Sequence, residues 1–154
     1  MLPRSYHRWK SWTGPDHYSV YRRALGLYEN GLSSAEASGD HDQAYYHAIN
    51  MAFLQLMHLP PSSAVTAACQ EMARRAQAHC EKCAISQWRI ATEGEALLIL
   101  GKLNDGIARY KEAITITTSQ LQIDSMYGQA LRIAERMYGE NGLTQIEQAF
   151  GLHR

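Results

Sequence analysis

The stretch that decides the fold is Gln87-Trp88-Arg89-Ile90-Ala91-Thr92-Glu93-Gly94-Glu95-Ala96-Leu97-Leu98-Ile99-Leu100-Gly101-Lys102-Leu103-Asn104-Asp105-Gly106-Ile107-Ala108-Arg109-Tyr110-Lys111-Glu112-Ala113. It reads as two helices joined by a turn at Gly101. Continued to Gln120, it fits the tetratricopeptide template of about 34 residues. Gly94 takes the small position of the first helix, and Gly106, Tyr110 and Ala113 take the small, aromatic and small positions of the second. The reason is packing. Small residues let paired helices approach, and the aromatic ring fills the space between hairpins. The spacing recurs downstream, with Gly128 34 residues after Gly94 and Leu131 34 after Leu97.

Working outward, the remaining helices follow from caps and breakers. All four prolines fall by position 61, and the chain beyond is rich in Ala, Leu, Glu, Gln and Arg, which are good helix formers. Helices are predicted over 16–37, 42–57, 63–81, 86–100, 104–118 and 124–138, with a short last one over 144–150. Asp16 is expected to cap the first, Gly39 to end it, Pro60-Pro61 to stop the second, and Gly139 to end the sixth. Gly39-Asp40-His41-Asp42-Gln43-Ala44 resembles another repeat turn, but Gly39 lies 62 residues before Gly101, which is not a multiple of the template. The expected fold is therefore all-α, a tetratricopeptide-like right-handed solenoid of about 6–7 helices with an irregular amino half. Residues 1–15 read as an arm carrying Trp9 and Trp12 that docks on the body or on a partner, and 16–154 as one helical domain.

Composition narrows the function. The chain has 154 residues, 45% hydrophobic and 19% charged, with 15 basic and 15 acidic side chains. A balanced charge argues against nucleic acid as a partner. No apolar run reaches the length of a membrane span, and the basic amino end has none behind it, so neither a membrane segment nor a secretory leader is expected. Three cysteines give no disulfide framework, which suits a cytoplasmic protein.

Two stretches resemble a known family. Asp42-Gln43-Ala44-Tyr45-Tyr46-His47-Ala48-Ile49-Asn50-Met51-Ala52 is similar to one signature of the TRAF-binding domain family, found in the central regulatory region of apoptosis signal-regulating kinases and in bacterial proteins. Trp88 to Gly101, with Tyr110-Lys111-Glu112-Ala113 after it, is similar to the second. The resemblance spans about 25–136. It implies a tetratricopeptide-like helical domain that scaffolds other proteins, here as a small bacterial member without a kinase, nuclease or protease attached.

The candidate site follows from the template, in which the first helix of each hairpin lines a groove. Trp88, Ala91, Thr92, Glu95 and Leu98 recur at helical spacing, and Gln122, Ser125, Gln129 and Arg132 match them on the sixth helix. An aromatic ring, a carboxylate and amides on one face suit a peptide or helix. The competing reading of Thr92 and Glu95 is a buried polar network that fixes the packing. Tyr45, Tyr46 and Asn50 raise the same choice, with Asn50 expected to be buried and satisfied by a backbone group or a neighbouring helix.

Cys80-Glu81-Lys82-Cys83 supplies half a zinc site with no second pair in the sequence, and Cys69 shares its helix face as core residues do. No nucleophile elbow, phosphate loop or His-Glu-x-x-His motif is present. The expected function is thus a protein-interaction scaffold in a signalling or bacterial defence setting, with no catalytic residues, metal or cofactor. The alternatives are a ligand- or metal-responsive sensor using Cys80 and Cys83 or the Trp88–Glu95 groove, and an enzyme with a helical site of new type. Leu143, Ile146, Phe150 and Leu152, if left uncovered on one face, would suit a homodimer.

Overall fold

The computed structural model describes residues 17–151. The expected arm with Trp9 and Trp12, the Asp16 cap and Leu152 lie outside the described residues. Among the described residues every regular element is a helix: α1 His17–Ser38, α2 His41–His58, α3 Ser63–Cys80, α4 Gln87–Ile99, α5 Leu103–Ile116 and α6 Gln120–Ala149. None is long and apolar enough to cross a membrane.

Local chemistry sets the ends. Asp40, Ser62, Ser86 and Ser119 each accept a hydrogen bond from a backbone N–H three residues on, capping α2, α3, α4 and α6. Gly39 and Gly101 take positive φ of 72° and 84° at the ends of α1 and α4. There the Asp40 and Lys102 N–H groups reach back to the Ala35 and Leu97 carbonyls at 2.8 and 2.9 Å.

The buried side chains form one cluster with members from all six helices. Residues Ala48 to Leu54 of α2 are buried without a break, so α2 is covered all round. It packs on α1, α3, α4 and α6, while α4 packs on α2, α3, α5 and α6. These two helices are the axis of the molecule. The α4–α5 hairpin is close, as its glycines require. A Cβ at Gly94 would stand 3.0 Å from the Tyr110 ring, and one at Gly106 would stand 3.1 Å from the Gly94 carbonyl oxygen. Tyr110 fills the space with no exposed surface.

The carboxyl end departs from expectation. The sixth helix starts at Gln120 rather than near Asp124, because the Ser119 hydroxyl supplies the cap. No loop separates it from the last helix. The chain turns only at Gly139, at φ 68° and ψ −152°, and resumes its helix at once. The expected repeat of the Gly94 packing is also missing, since Gly128 meets only the Arg132 guanidinium, 3.4 Å from where its Cβ would stand. Instead α6 folds back over the body. Arg136 donates to the Leu56 and Leu59 carbonyls at 3.2 and 3.1 Å, and the Tyr138 hydroxyl donates to the Leu98 carbonyl at 2.5 Å. Ile146 is fully buried, and the Phe150 ring lies 5.6 Å from Tyr110 and 5.2 Å from Tyr127. Two residues of the apolar face offered for a homodimer, Ile146 and Phe150, therefore pack against the body of the same chain.

Candidate functional site

Four helices converge on a recess of about 60 Å³. That is room for about four to six waters, the size of a side-chain end. Its walls come from Tyr46, Ile49 and Asn50 of α2, Trp88, Ala91, Thr92 and Glu95 of α4, Tyr110 of α5, and Ser125, Met126 and Gln129 of α6. On α4 the spacing 88, 91, 92, 95 is one helix face, and on α2 and α6 the wall residues lie one turn apart. The same periodicity that buries the other faces aims these groups inward.

Glu95 is the centre of the chemistry. It keeps partial exposure in the recess it lines, yet burial among the helices raises its carboxyl to about 8 and outweighs smaller lowering influences, a hydrogen bond with Gln129 among them. It is therefore largely protonated at neutral pH. No side chain among the described residues makes an ion pair with it; the ion pairs among them are Arg75 and His79 with Glu36, Arg89 with Glu93, and Arg109 with Glu112. Arg89, on the neighbouring side of α4, is fully engaged, bonding the Cys83 carbonyl as well as Glu93.

Two further residues of the recess carry buried polar atoms. Gln129 is 5% exposed and Tyr110 0%, and both the Gln129 Oε1 and the Tyr110 hydroxyl are buried without a protein hydrogen-bond partner. Burying such an atom unpaired costs about 1–3 kcal/mol. Burial first, then the Glu95 charge, pushes the Tyr110 hydroxyl well above its ordinary range, so it stays protonated. Asn50 is buried and satisfied in part, its Nδ2 donating to the Tyr46 carbonyl at 2.7 Å. Thr92 is buried on the same wall.

Of the residues singled out from sequence, Trp88, Thr92, Glu95, Gln129, Tyr46 and Asn50 meet in this recess. Tyr45 does not. It is one residue, hence about 100° round the helix, from Tyr46, and it packs away from the recess, where burial raises its hydroxyl to about 12 in spite of a hydrogen bond with Ser86. Arg132 does not either. It stands nearly a turn past Gln129, lying over Gly128 beyond the recess wall. Leu98 turns to the α4–α5 contact, its Cδ2 2.8 Å from a Cβ placed at Gly106. Gln122 pairs with Gln87 at 3.4 Å. The residue that sequence reasoning missed is Tyr110, read only as a packing ring. Its hydroxyl is a polar group on a fully buried side chain, which is the signal that pointed to more.

The Cys80 and Cys83 pair lies elsewhere. Cys80 has no exposed surface, and burial raises its thiol far above the ordinary value. Cys83 is raised to about 11, by burial and then by Asp42, and Cys69 to about 11 by burial. Such thiols are poor nucleophiles. Among the described residues no group of three or more His, Cys, Asp or Glu is placed to hold a metal ion. No family model matches this sequence, and neither a curated protein nor a solved structure matches it.

Proposed function

We propose that this chain is a protein-interaction module, an irregular tetratricopeptide-like array that holds a partner by one side chain set into the recess. The observation that carries this reading is the pair of buried, unpartnered polar atoms, Gln129 Oε1 and the Tyr110 hydroxyl, on residues that line a site where four helices bring polar groups together. Buried polar atoms left unpaired in the free protein are a reserve of binding energy for a group that pairs with them. The recess is small, so an inserted side chain suits it better than a nucleotide or other large ligand.

Other features support the reading. Helices adjacent in sequence pack on one another throughout, as in hairpin arrays. The two stretches that resemble the TRAF-binding domain family lie on α2 and α4, the helices that form most of the recess. Among the described residues neither His nor Cys lines it. A scaffold role in cytoplasmic signalling or defence fits these features.

The test is affinity capture with the tagged full chain from its host, comparing wild type with Trp88→Ala and Tyr45→Phe. Trp88→Ala is expected to lose the partner while Tyr45→Phe, outside the recess, retains it. Recovery of the same partners by a folded Trp88→Ala protein would mean that the recess is not the anchor.

A further inference from the structure

The recess is rich in acceptors. Glu95 offers its carboxyl oxygens and Gln129 a buried Oε1 with no partner. Tyr110 adds a hydroxyl oxygen, also unpartnered. Asn50 has spent an Nδ2 donor on the Tyr46 carbonyl. Around them stand the apolar or aromatic surfaces of Trp88, Tyr46, Ile49 and Met126. A ligand suited to these walls carries several N–H donors on a compact head and an alkyl stem behind it. An ammonium group has three donors and no acceptor, its stem packs on apolar surface, and aromatic faces attract its charge.

From this geometry we infer that the recess receives the terminal ammonium of a lysine side chain presented by the partner protein, with the partly exposed Glu95 carboxyl as its acceptor. This rests on the recess being the anchor site proposed above. A guanidinium is larger and planar, with five donors in a rigid fork against the three of a compact ammonium, so the smaller head suits a recess of about 60 Å³ better.

Binding is coupled to a proton. With the recess empty Glu95 holds its proton up to about pH 8. An arriving ammonium favours the carboxylate, so the Glu95 proton leaves to solvent as the ion pair forms, and charge balances within the recess. Among the described residues, the other titratable side chains on the recess walls are Tyr110 from α5 and Tyr46 from α2, both raised by burial and neutral throughout this range. The α6 wall presents Ser125, Met126 and Gln129, none of which titrates.

The probe is n-butylammonium, with n-butanol and n-butylguanidinium as comparisons, titrated into the full chain and followed by the Trp88 indole N–H resonance. Butylammonium is expected to saturate one site, with apparent affinity rising about tenfold per pH unit below about pH 8 and levelling above it. Glu95→Gln is expected to lose at least about tenfold in affinity together with the pH dependence. Should that variant fail to fold, the wild-type pH slope carries the test. Equal binding of butanol or butylguanidinium, a pH-independent affinity, or an indole shift that tracks protein concentration alone, as a second copy would give, each overturns the inference. The two readings separate cleanly. Loss of partner capture in Trp88→Ala without ammonium binding would sink the lysine assignment and keep the anchor site. Ammonium binding with capture unchanged would support a cation site and sink the anchor role.

Discussion

Glu95 carries a stability signature as well as a binding one. Its carboxyl sits at about 8 in the folded chain against an ordinary 4.5, so between these values the unfolded chain gives up the proton first. The unfolded state then binds fewer protons than the folded, and stability falls as pH rises through that window, by up to about 1.4 kcal/mol per pH unit. His47 and His58 act in the opposite sense, because burial lowers both. The difference between wild type and Glu95→Gln isolates the carboxyl. Urea unfolding across this range is expected to show Glu95→Gln gaining on wild type with rising pH, and a constant difference would contradict the assignment. Glycines make a second test at this scale. Gly106→Ala meets Leu98 at 2.8 Å and the Gly94 carbonyl at 3.1 Å and is expected to cost about 1–3 kcal/mol. Gly26→Ala on α1 meets nothing within 4 Å and is expected to stabilise by about 0.5–1 kcal/mol; thermal unfolding of the two variants checks both signs. Most of the recess was legible in the sequence, since Trp88, Thr92, Glu95 and the Tyr46–Asn50 pair are set by helical spacing alone. What spacing does not give is how far along its axis each helix meets the others, and that is why Arg132 was placed on the wall and Tyr110 was not.

Between elements, the strongest polar tie is Glu36 of α1 with Arg75 and His79 of α3. His79 Nε2 lies 2.7 Å from Glu36 Oε2, and Arg75 reaches both carboxylate oxygens. The Arg75 hydrogen bond is the main cause that lowers the Glu36 carboxyl to about 2. A depressed carboxyl adds stability above its unfolded value, which is lost as pH falls from about 4.5 towards 2. With Arg75 42% exposed, screening limits the gain to about 1 kcal/mol. Glu36→Gln is expected to cost this much at neutral pH and nothing at the acid end, as unfolding midpoints at the two pH values would show. Gly139 is the stronger constraint. Its φ of 68° with ψ of −152° belongs to a region that side chains other than glycine avoid, and Gly139→Ala is expected to cost about 1–3 kcal/mol. The sequence marked Gly139 as a terminator. It did not reveal that helix resumes on the next residue, because the turn is held in part by a contact far off in sequence, Tyr138 on the Leu98 carbonyl, and by Gly142 closing on Ala134 across the turn within α6.

Over the whole molecule, the helical content and nearly every helix boundary followed from caps, glycines and the Pro60-Pro61 stop, which are local signals. The arrangement followed less. The spacing from Gly94 to Gly128 suggested a repeated hairpin contact, but α6 instead returns across α2 and is held there by Arg136, an interaction about 80 residues apart in sequence. That return brings Gln129 and Ser125 against α2 and α4 and so creates the recess. The account therefore turns on Glu95 being enclosed by all four helices in the free protein. The most direct measurement is the pH titration of the Glu95 side-chain carboxyl carbon by NMR in the full chain, assigned by comparison with Glu95→Gln. A midpoint near 8 is the expected result. A midpoint in the ordinary carboxylate range, about 4–4.5, would mean that the carboxyl stands in water, and the recess as described would not exist.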